Sequence, residues 1–596
     1  MKGDHSSIRL RLFLFGAVAL GALALGVGVP GQWLAPLLRH SGYYFVLAGF
    51  AVWVLLAARN MQGRWRGFWK RNVPALVLAA GLMSLICLLS PPQFKVLGDE
   101  ANLVGTSMSM HFEKTTVVPL QGLGLEYYPF DYAGRIDQRP LLFPFVVSLV
   151  HAARGYSAFN GMLANAVIGG LLLFVFYLWA AGIFSSRSYG LAGMLLLAAC
   201  PGFVTWVTAS GFEVLNLFYV VAAFYILYRL AQEYSAEEST EKAGGPVSDR
   251  GINTAELFLL TLVLLAQCRY ESALFFVGLA AVLPLLLRRR MIVSYGWPTL
   301  LVPLLLLPVV WQRRFTFFHA AVQTGSATHT PEQVFSFGNL AANLPKNLFV
   351  LSGLEPGLGF LPLVFVAAVI GLVLAAGRLA AGGSARRLEN RVTAAFALLT
   401  VVPLFLVYAA FFWGDMSSPM DNRLSLVFLP FLIVPALYWP YRMFAANGRR
   451  QGSWLVIGLA LILLVYYRPV AERQEMIQGK SLTYEYNRVL DFLYAHYEPQ
   501  QEKILIISDR TNFFTIHEMG SIGFRQAGQQ AEQLRYLDSI YYDTVLVLQR
   551  ADPETGQILS ETRLPGPFTL QSLHRIDVGP DYYVLISKAV IGLPGE

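Results

Sequence analysis

Apolar runs of close to twenty residues recur along most of this chain, and that recurrence limits the fold more than any other feature. A bilayer core takes about 20 helical residues to cross, and within it every backbone polar group must pair inside a helix or around a closed barrel. The runs are rich in Leu, Val, Ala and Phe and lack the alternation of barrel strands, so they read as helices. Composition agrees: 55% of the 596 residues are hydrophobic and 14% are charged, where an ordinary globular domain has about a quarter charged. The expectation is a polytopic α-helical membrane protein. Its candidate spans are 10–30, 41–58, 73–91, 161–184, 188–207, 212–231, 255–268, 272–287, 295–311, 358–376, 392–413, 424–440 and 453–467, about thirteen in all.

With a cytoplasmic N-terminus, alternate loops are basic, as the positive-inside tendency requires. Arg59, Arg64, Arg66, Lys70 and Arg71 then lie inside, as do Arg288, Arg289, Arg290, Arg378, Arg386, Arg387, Arg391, Arg442, Arg449 and Arg450. The net charge of +8 is thereby assigned to cytoplasmic loops facing the bilayer, not to nucleic-acid binding. The first run is long and has no small-x-small cleavage site, so it reads as a membrane anchor, not a secretory signal. Segment 140–153 is apolar but too short to span, and reads as a helix on the external surface. Loop 232–254, with Gly244, Gly245 and Pro246, reads as a flexible cytoplasmic connection. Cys87, Cys200 and Cys268 lie within apolar runs and suit neither a disulfide framework nor a metal knuckle.

Three regions are expected: two additional N-terminal spans in 1–72, a transmembrane catalytic domain in 73–467 with a large external loop at 92–139, and a soluble extracytoplasmic α/β domain in 468–596. In the last, 503–508, 544–548 and 582–586 read as buried strands, and 481–497 and 531–541 as helices. It has no Gly-rich dinucleotide loop, so no nucleotide is assigned to it.

This sidedness puts Asp99, Glu100, Glu213, Glu271, Asp415 and Asp421 on the external side, together with Arg135, Arg139, Arg269, Arg313, Arg314 and Arg423. Arginines are depleted on that side, so acids and arginines gathered at one end of a helical bundle suggest a site for a polar, anionic substrate. Each residue also has a plainer reading, as a solvated loop, a helix-terminal carboxylate or a local ion pair. Tyr127 and Tyr128, in the aromatic stretch of the long external loop, suit either sugar binding or an interfacial belt.

Gly98-Asp99-Glu100-Ala101 followed by Gln138-Arg139-Pro140-Leu-Leu-Phe-Pro144 resembles the acidic pair and basic-Pro segment of GT-C glycosyltransferases. Gly211-Phe212-Glu213-Val-Leu-Asn216 is similar to that superfamily's second acidic position. Leu265-Ala-Gln-Cys-Arg-Tyr-Glu271 and Asn422-Arg-Leu-Ser-Leu-Val-Phe-Leu-Pro430 resemble its later Arg-containing segments. The nearest group holds protein O-mannosyltransferases and lipid A aminoarabinose transferases. Two positions depart from the pattern: Arg139-Pro140-Leu141 stands where Lys-Pro-Pro is frequent, and Glu213 where Asp is usual.

The resemblance implies an inverting hexosyl- or pentosyltransferase that moves a sugar from a polyprenyl-phosphate donor to a lipid, glycan or protein acceptor at the external face of the cytoplasmic membrane. Asp99 is then the expected base, with Glu100 or Glu213 stabilising the oxocarbenium-like transition state. Arg139, Arg269 and Arg423, with Arg313 and Arg314 behind them, would hold the donor phosphate; Tyr127, Tyr128, Glu271 and Asp421 would contact substrate. Metal-free catalysis is the expectation, with magnesium or manganese on Asp99, Glu100 and His111 as the alternative. A transporter or flippase of a lipid-linked or anionic substrate, or an O-antigen ligase or polymerase, is the competing function. The chain has no internal repeat of the transporter kind, and its richest external loop comes early.

Overall fold

The computed structural model describes residues 5–62, 65–124, 133–242, 250–288, 296–323, 334–354, 362–380, 388–418, 420–444, 454, 457–458, 461, 482–498 and 502–591. The chain is a multi-pass helical membrane protein. Helices α1 (His5–Gly28), α2 (Gly31–Met61) and α3 (Trp65–Leu89) open it, followed by α4 (Leu97–Phe112) and the hairpin β1 (Val117–Gln121) and β2 (Ala133–Ile136). Segment 140–153 forms α5 (Leu142–Arg154), much of it buried; α6 (Asn160–Phe184), α7 (Arg187–Ala198), α8 (Pro201–Val207), α9 (Glu213–Lys242) and α10 (Arg250–Cys268) follow it. Next come a 3-10 helix at Glu271–Phe276 and then α11 (Leu279–Arg288), α12 (Trp297–Leu305), α13 (Leu307–Gln323), α14 (Phe337–Leu351), α15 (Pro362–Ala380) and α16 (Leu388–Ala410). A second 3-10 helix, Asp421–Phe428, leads into α17 (Leu429–Met443).

Among the described residues, six helices are long and apolar enough to cross a membrane, or seven if α7 and α8 form one bent span. The expected span 188–207 is broken there by 69°, because Pro201 has no N–H to continue the α7 ladder and instead opens α8. The run 295–311 is likewise divided, between α12 and α13, and 272–287 begins as a 3-10 helix. Most of 453–467 lies outside the described residues. Apolar runs thus outnumber helices of spanning length, since hydropathy reads composition and not continuity. The most central span is Glu213–Ser235, 83% buried, which explains why α9 is apolar all round. The boundary placed at residue 72 falls inside α3, and α2 is tied to α10 by Trp53 donating to Thr261 (2.9 Å) and Asn60 donating to the Asn253 carbonyl (3.0 Å).

The C-terminal α/β portion contains α18 (Leu482–His496), β3 (Ile504–Ile507), α19 (Thr511–Thr515), β4 (Gly520–Ile522), α20 (Phe524–Gln529), α21 (Ala531–Ile540), β5 (Thr544–Ala551), β6 (Phe568–Asp577) and β7 (Tyr583–Ile591). Its sheet has the order β4-β3-β5-β7-β6, parallel between β4, β3 and β5 and antiparallel beyond. Leu505, Ile507, Val545 and Val547 face α20 and α21, whereas Ile504, Ile506, Leu546 and Leu548 face α18 and α19.

This second face is not closed by the α/β portion alone. Phe94, Ala101, Val104, Ala158 and Met162 from the membrane portion complete its core. Gly122 extends the sheet by exchanging two backbone hydrogen bonds with Ser521, at 2.9 and 2.8 Å. Tyr541 and Tyr542 donate to the carbonyls of Gly124 (3.0 Å) and Leu123 (2.5 Å). The α/β portion is therefore mounted on the segment between α3 and α5 as a continuation of its structure.

His517 is buried in this joint, between the rings of Phe94, Phe159 and Phe513, with Tyr494 Oη 2.8 Å from its Nδ1. Burial pushes its pKa down to about 3 from 6.5. The unfolded imidazole takes up protons below 6.5 while the folded one does not, so stability falls as pH drops from 6.5 toward 3. The expected loss from this group between pH 6.5 and 5 is about 2 kcal/mol. Thermal unfolding of the detergent-solubilised protein across that range checks it, and His517→Phe should flatten this part of the profile.

Candidate active site

Five stretches far apart in sequence meet beside the start of α4. Asp99 sits in the first turn of α4, where a carboxylate also complements the helix N-terminus. Arg139 donates to its Oδ1 from Nε at 3.0 Å and Nη2 at 2.5 Å, and Arg423 Nη1 lies 2.7 Å from its Oδ2. Burial alone would raise the Asp99 carboxyl, but Arg423 and Arg139 more than offset it and hold the group well below the usual carboxylate range. The Asp99 side chain remains 27% exposed, so the pair of guanidiniums does not seal it.

The charges continue on both sides. Arg423 Nη1 is also 3.4 Å from Glu213 Oε1, which lies 3.8 Å from Arg269 Nη1; Arg269 Nε is in turn 3.5 Å from Glu271. Arg269 also lies over the rings of Phe212 and Tyr408, at 5.0 and 5.6 Å. On the other side Arg139 Nη1 is 3.3 Å from Asp137, which is almost fully buried and accepts from Thr106 Oγ1 at 2.9 Å and from the Arg139 N–H at 3.0 Å. The result is an alternating relay: Asp137, Arg139, Asp99, Arg423, Glu213, Arg269, Glu271. Gln312 donates to the carbonyls of Asp137 (3.0 Å) and Arg139, fixing the backbone that presents Arg139.

The backbone before α9 is held with equal care. Asn165 donates to the carbonyls of Ala209 and Gly211, both at 2.8 Å. Thr208 receives Lys95 Nζ at 2.5 Å. Glu213 thereby opens α9 with its carboxylate folded back over Gly211, where a Cβ would overlap it.

Arg313 differs from the other site arginines. It is exposed, and its guanidinium stacks on the Tyr270 ring at 3.9 Å, near enough to Glu271 to act on its charge. Tyr270 in turn donates to the Gln138 carbonyl, beside Arg139.

Residues 138–238 match the dolichyl-phosphate-mannose-protein mannosyltransferase family. That segment holds two members of the relay, Arg139 and Glu213, and two of the stretches that carry the GT-C resemblance, 138–144 and 211–216. Among solved structures, the chain is similar to the oligosaccharyltransferase AglB of Archaeoglobus fulgidus, in complex with an inhibitory peptide and a dolichol-phosphate. Identity is 13% and the TM-score 0.41, over 84% of this chain and 75% of that one. It is also similar to ArnT from Cupriavidus metallidurans bound to undecaprenyl phosphate, at 12% and 0.42, over 89% and 99%. A third is the arabinosyltransferase EmbB from Mycobacterium smegmatis, at 12% and 0.35, over 92% and 66%. No curated protein sequence matches the chain.

Around the mannosyltransferase-like segment, several sequence expectations need correction. Glu100, expected among the reacting groups, points away from them: it is 1% exposed and accepts from the N–H groups of Lys95 (2.5 Å), Val96 (2.7 Å) and Ser210 (2.6 Å). One residue along a helix is a rotation of about 100°, so adjacent acids cannot share a face. Glu100 joins the start of α4 to the segment before α9. Arg314, expected at the phosphate, donates to the carbonyls of Gly26 (2.7 Å) and Val29 (2.9 Å) and holds the end of α1. Asp421 is half-buried, bonded to the Ser418 hydroxyl and close to Arg423. Tyr127 and Tyr128 lie outside the described residues.

The metal set of Asp99, Glu100 and His111 is not assembled. His111 is twelve residues along α4 from Asp99, about 18 Å at 1.5 Å per residue, and Glu100 is committed to backbone N–H groups. No group of three or more His, Cys, Asp or Glu that could hold a metal ion occurs among the described residues. Asp137 was missed by sequence reasoning, although its position two residues before Arg139 was a signal.

Gly211→Ala tests the placement of Glu213. The overlapped atom is the end of a flexible side chain, so folding should survive with an unfolding temperature close to wild type, while Glu213 is pushed off Arg423. Activity should fall by about tenfold or more, as expected when a charged contact is broken. A normal rate would show that Glu213 need not stand where it does.

Proposed function

We propose that this chain is an inverting membrane glycosyltransferase that moves a sugar from a polyprenyl-phosphate donor to an acceptor hydroxyl at the external face of the cytoplasmic membrane. The observation that carries the reading is Asp99, a partly open carboxylate clasped by two arginines, within reach of the mannosyltransferase-like segment. The family description supports a polyprenyl-phosphate donor; the sugar, whether hexosyl or pentosyl, and the lipid, glycan or protein acceptor belong to the same proposal.

The charge count suggests how the site is switched on. The relay has four carboxylates and three guanidiniums, and Arg313 is an additional cation at its rim. In the absence of donor, Arg139 and Arg423 suppress the basicity of Asp99. A donor phosphate, steered by Arg313, competes for those same guanidinium forks, which suit phosphate oxygens as well as carboxylate oxygens. As they turn to the phosphate, Asp99 loses the cations that depressed it and becomes able to accept a proton.

In the transfer step the acceptor oxygen bonds to the anomeric carbon while the bond from that carbon to the phosphate oxygen breaks. The acceptor proton passes to Asp99, and the bonding pair leaves with the phosphate, where arginines stabilise the added charge. Glu213, paired to Arg423 and Arg269, faces the positive charge that develops on the sugar ring. No step is routed through a metal ion.

Asp99→Asn is expected to lower transfer by at least about 100-fold, the contribution of a general base, with membrane insertion near wild type. Mass spectrometry of glycolipids, lipopolysaccharide and exported proteins, from cells with and without the chain, reads the product. Wild-type transfer by Asp99→Asn would remove Asp99 as base. Movement of a lipid-linked sugar across vesicles with no covalent product would replace the transferase by a flippase.

A further inference from the structure

We propose that the carboxyl ends of β3 and β5 form a second polar site, which binds the saccharide part of the acceptor. The acceptor role rests on the transferase reading above, whereas the site itself rests on the topology and side chains of the α/β portion.

The chain leaves β3 through α19 to reach β4 on one side, then passes through α20 and α21 to reach β5 on the other side of β3. Where successive connections of a parallel sheet part in this way, a crevice opens at the carboxyl ends of the strands, and ligands of open α/β sheets bind there. In this sheet β3 stops at Ile507, opposite Val547, while β5 runs on to Ala551. The exposed edge of β5 is taken over by residues 558–562: the Leu559 N–H donates to the Arg550 carbonyl and the Arg550 N–H to Thr562 Oγ1, both at 2.9 Å. The crevice therefore has three walls, the turn 508–510, the segment 558–562 and the first turn of α18.

Its floor is Arg550, whose Nε lies 3.2 and 3.3 Å from the two oxygens of Glu485 and whose Nη2 lies 3.3 Å from Asp509. Tyr582 donates to Glu485 at 2.9 Å and Tyr486 to Asp509 at 2.6 Å. Glu485 alone would suffice to fasten Arg550 to α18. Above it stand a second carboxylate and a second guanidinium, Asp509 and Arg510, 3.8 Å apart, with side chains 28% and 45% exposed.

Two carboxylates and two guanidiniums balance, so a free anion or cation entering the crevice meets repulsion as closely as attraction. A sugar does not. Its hydroxyls donate to Asp509 and accept from Arg510 and Arg550, and the Tyr582 ring beside Arg550 offers an apolar surface. The location also fits. Thr483 and Asn487 of α18 hold the carbonyls of Lys95 (2.9 Å) and Phe94 (3.0 Å), just ahead of α4. Asn512 of α19 reaches Asn102 at 3.1 Å, one helical turn from Asp99. A glycan seated in the crevice lies against the end of α4 that carries the base.

Saturation-transfer NMR on the full chain in detergent, with methyl α-D-mannopyranoside as probe, tests this on the wild type and on Asp509→Asn, Arg510→Ala and Asp99→Asn. The expected result is binding by wild type and Asp99→Asn, weakened by about tenfold or more in Asp509→Asn and Arg510→Ala, with the unfolding temperature of Arg510→Ala unchanged. Equal binding by Arg510→Ala, Asp509→Asn and wild type, loss confined to Asp99→Asn, or no binding by wild type would each overturn the site. Binding of the expected pattern in a chain that makes no transfer product keeps the site and removes only the transferase reading.

Discussion

The alternating ion pairs from Asp137 to Glu271 are what the packing around the start of α4 depends on. Seven charges are gathered there, each inner one shared between two neighbours, and removing Arg139 or Arg269 would leave the end carboxylate Asp137 or Glu271 without its arginine, a condition that costs several kcal/mol in a buried pair. The members come from α4, the segment before α5, the start of α9, the turn after α10 and the 3-10 helix before α17. Pairing is satisfied only when all five are in place, so the relay helps specify how the bundle closes. It also explains why the ordinary acidity of Asp99 is so altered: a carboxylate between two guanidiniums is a poor base until something else engages them.

Helix α4 carries this constraint outward. Asp99 and Thr106 lie on one face, turned to the relay, while Ala101 and Val104 lie on the opposite face, within the core of the α/β portion. One short helix is thus the wall between two parts of the molecule, and Glu100, buried between them, locks its entry to the segment before α9. A displacement of the α/β portion would move the carboxylate proposed as base. That coupling gives a physical reason for mounting the α/β portion on the loop, where a flexible tether would transmit nothing.

Much of the site was visible in the residue order because charge in an apolar chain is conspicuous. Asp99, Arg139, Glu213, Arg269, Glu271 and Arg423 all stood out by type and sidedness, and all six meet. Glu100 and Arg314 stood out for the same reason and do not join them, because direction along a helix, not sequence proximity, decides what a side chain touches. Helix α14 was not anticipated. Its apolar residues are interrupted by Asn339, Asn343, Pro345, Lys346 and Asn347, and Asn343 and Asn347, four residues apart, hold the carbonyls of Ala409, Phe411 and Gly414 and so secure the turn leading to Arg423.

By itself, the sequence determined that this is a helical membrane protein with an α/β region at its end. Hydrophobic length and strand-like apolar runs are local properties, set by a bilayer's thickness and a sheet's pleat. It also determined which charges had to find partners, since an unpaired charge in such a chain is too costly to keep. Tertiary structure decided who the partners are. Pairing between Asp99, residue 139 and residue 423 is a property of three-dimensional packing, as is the insertion of Phe94 into the core of the C-terminal portion. Those contacts join residues tens to hundreds of positions apart, and no local pattern encodes a distance across the fold.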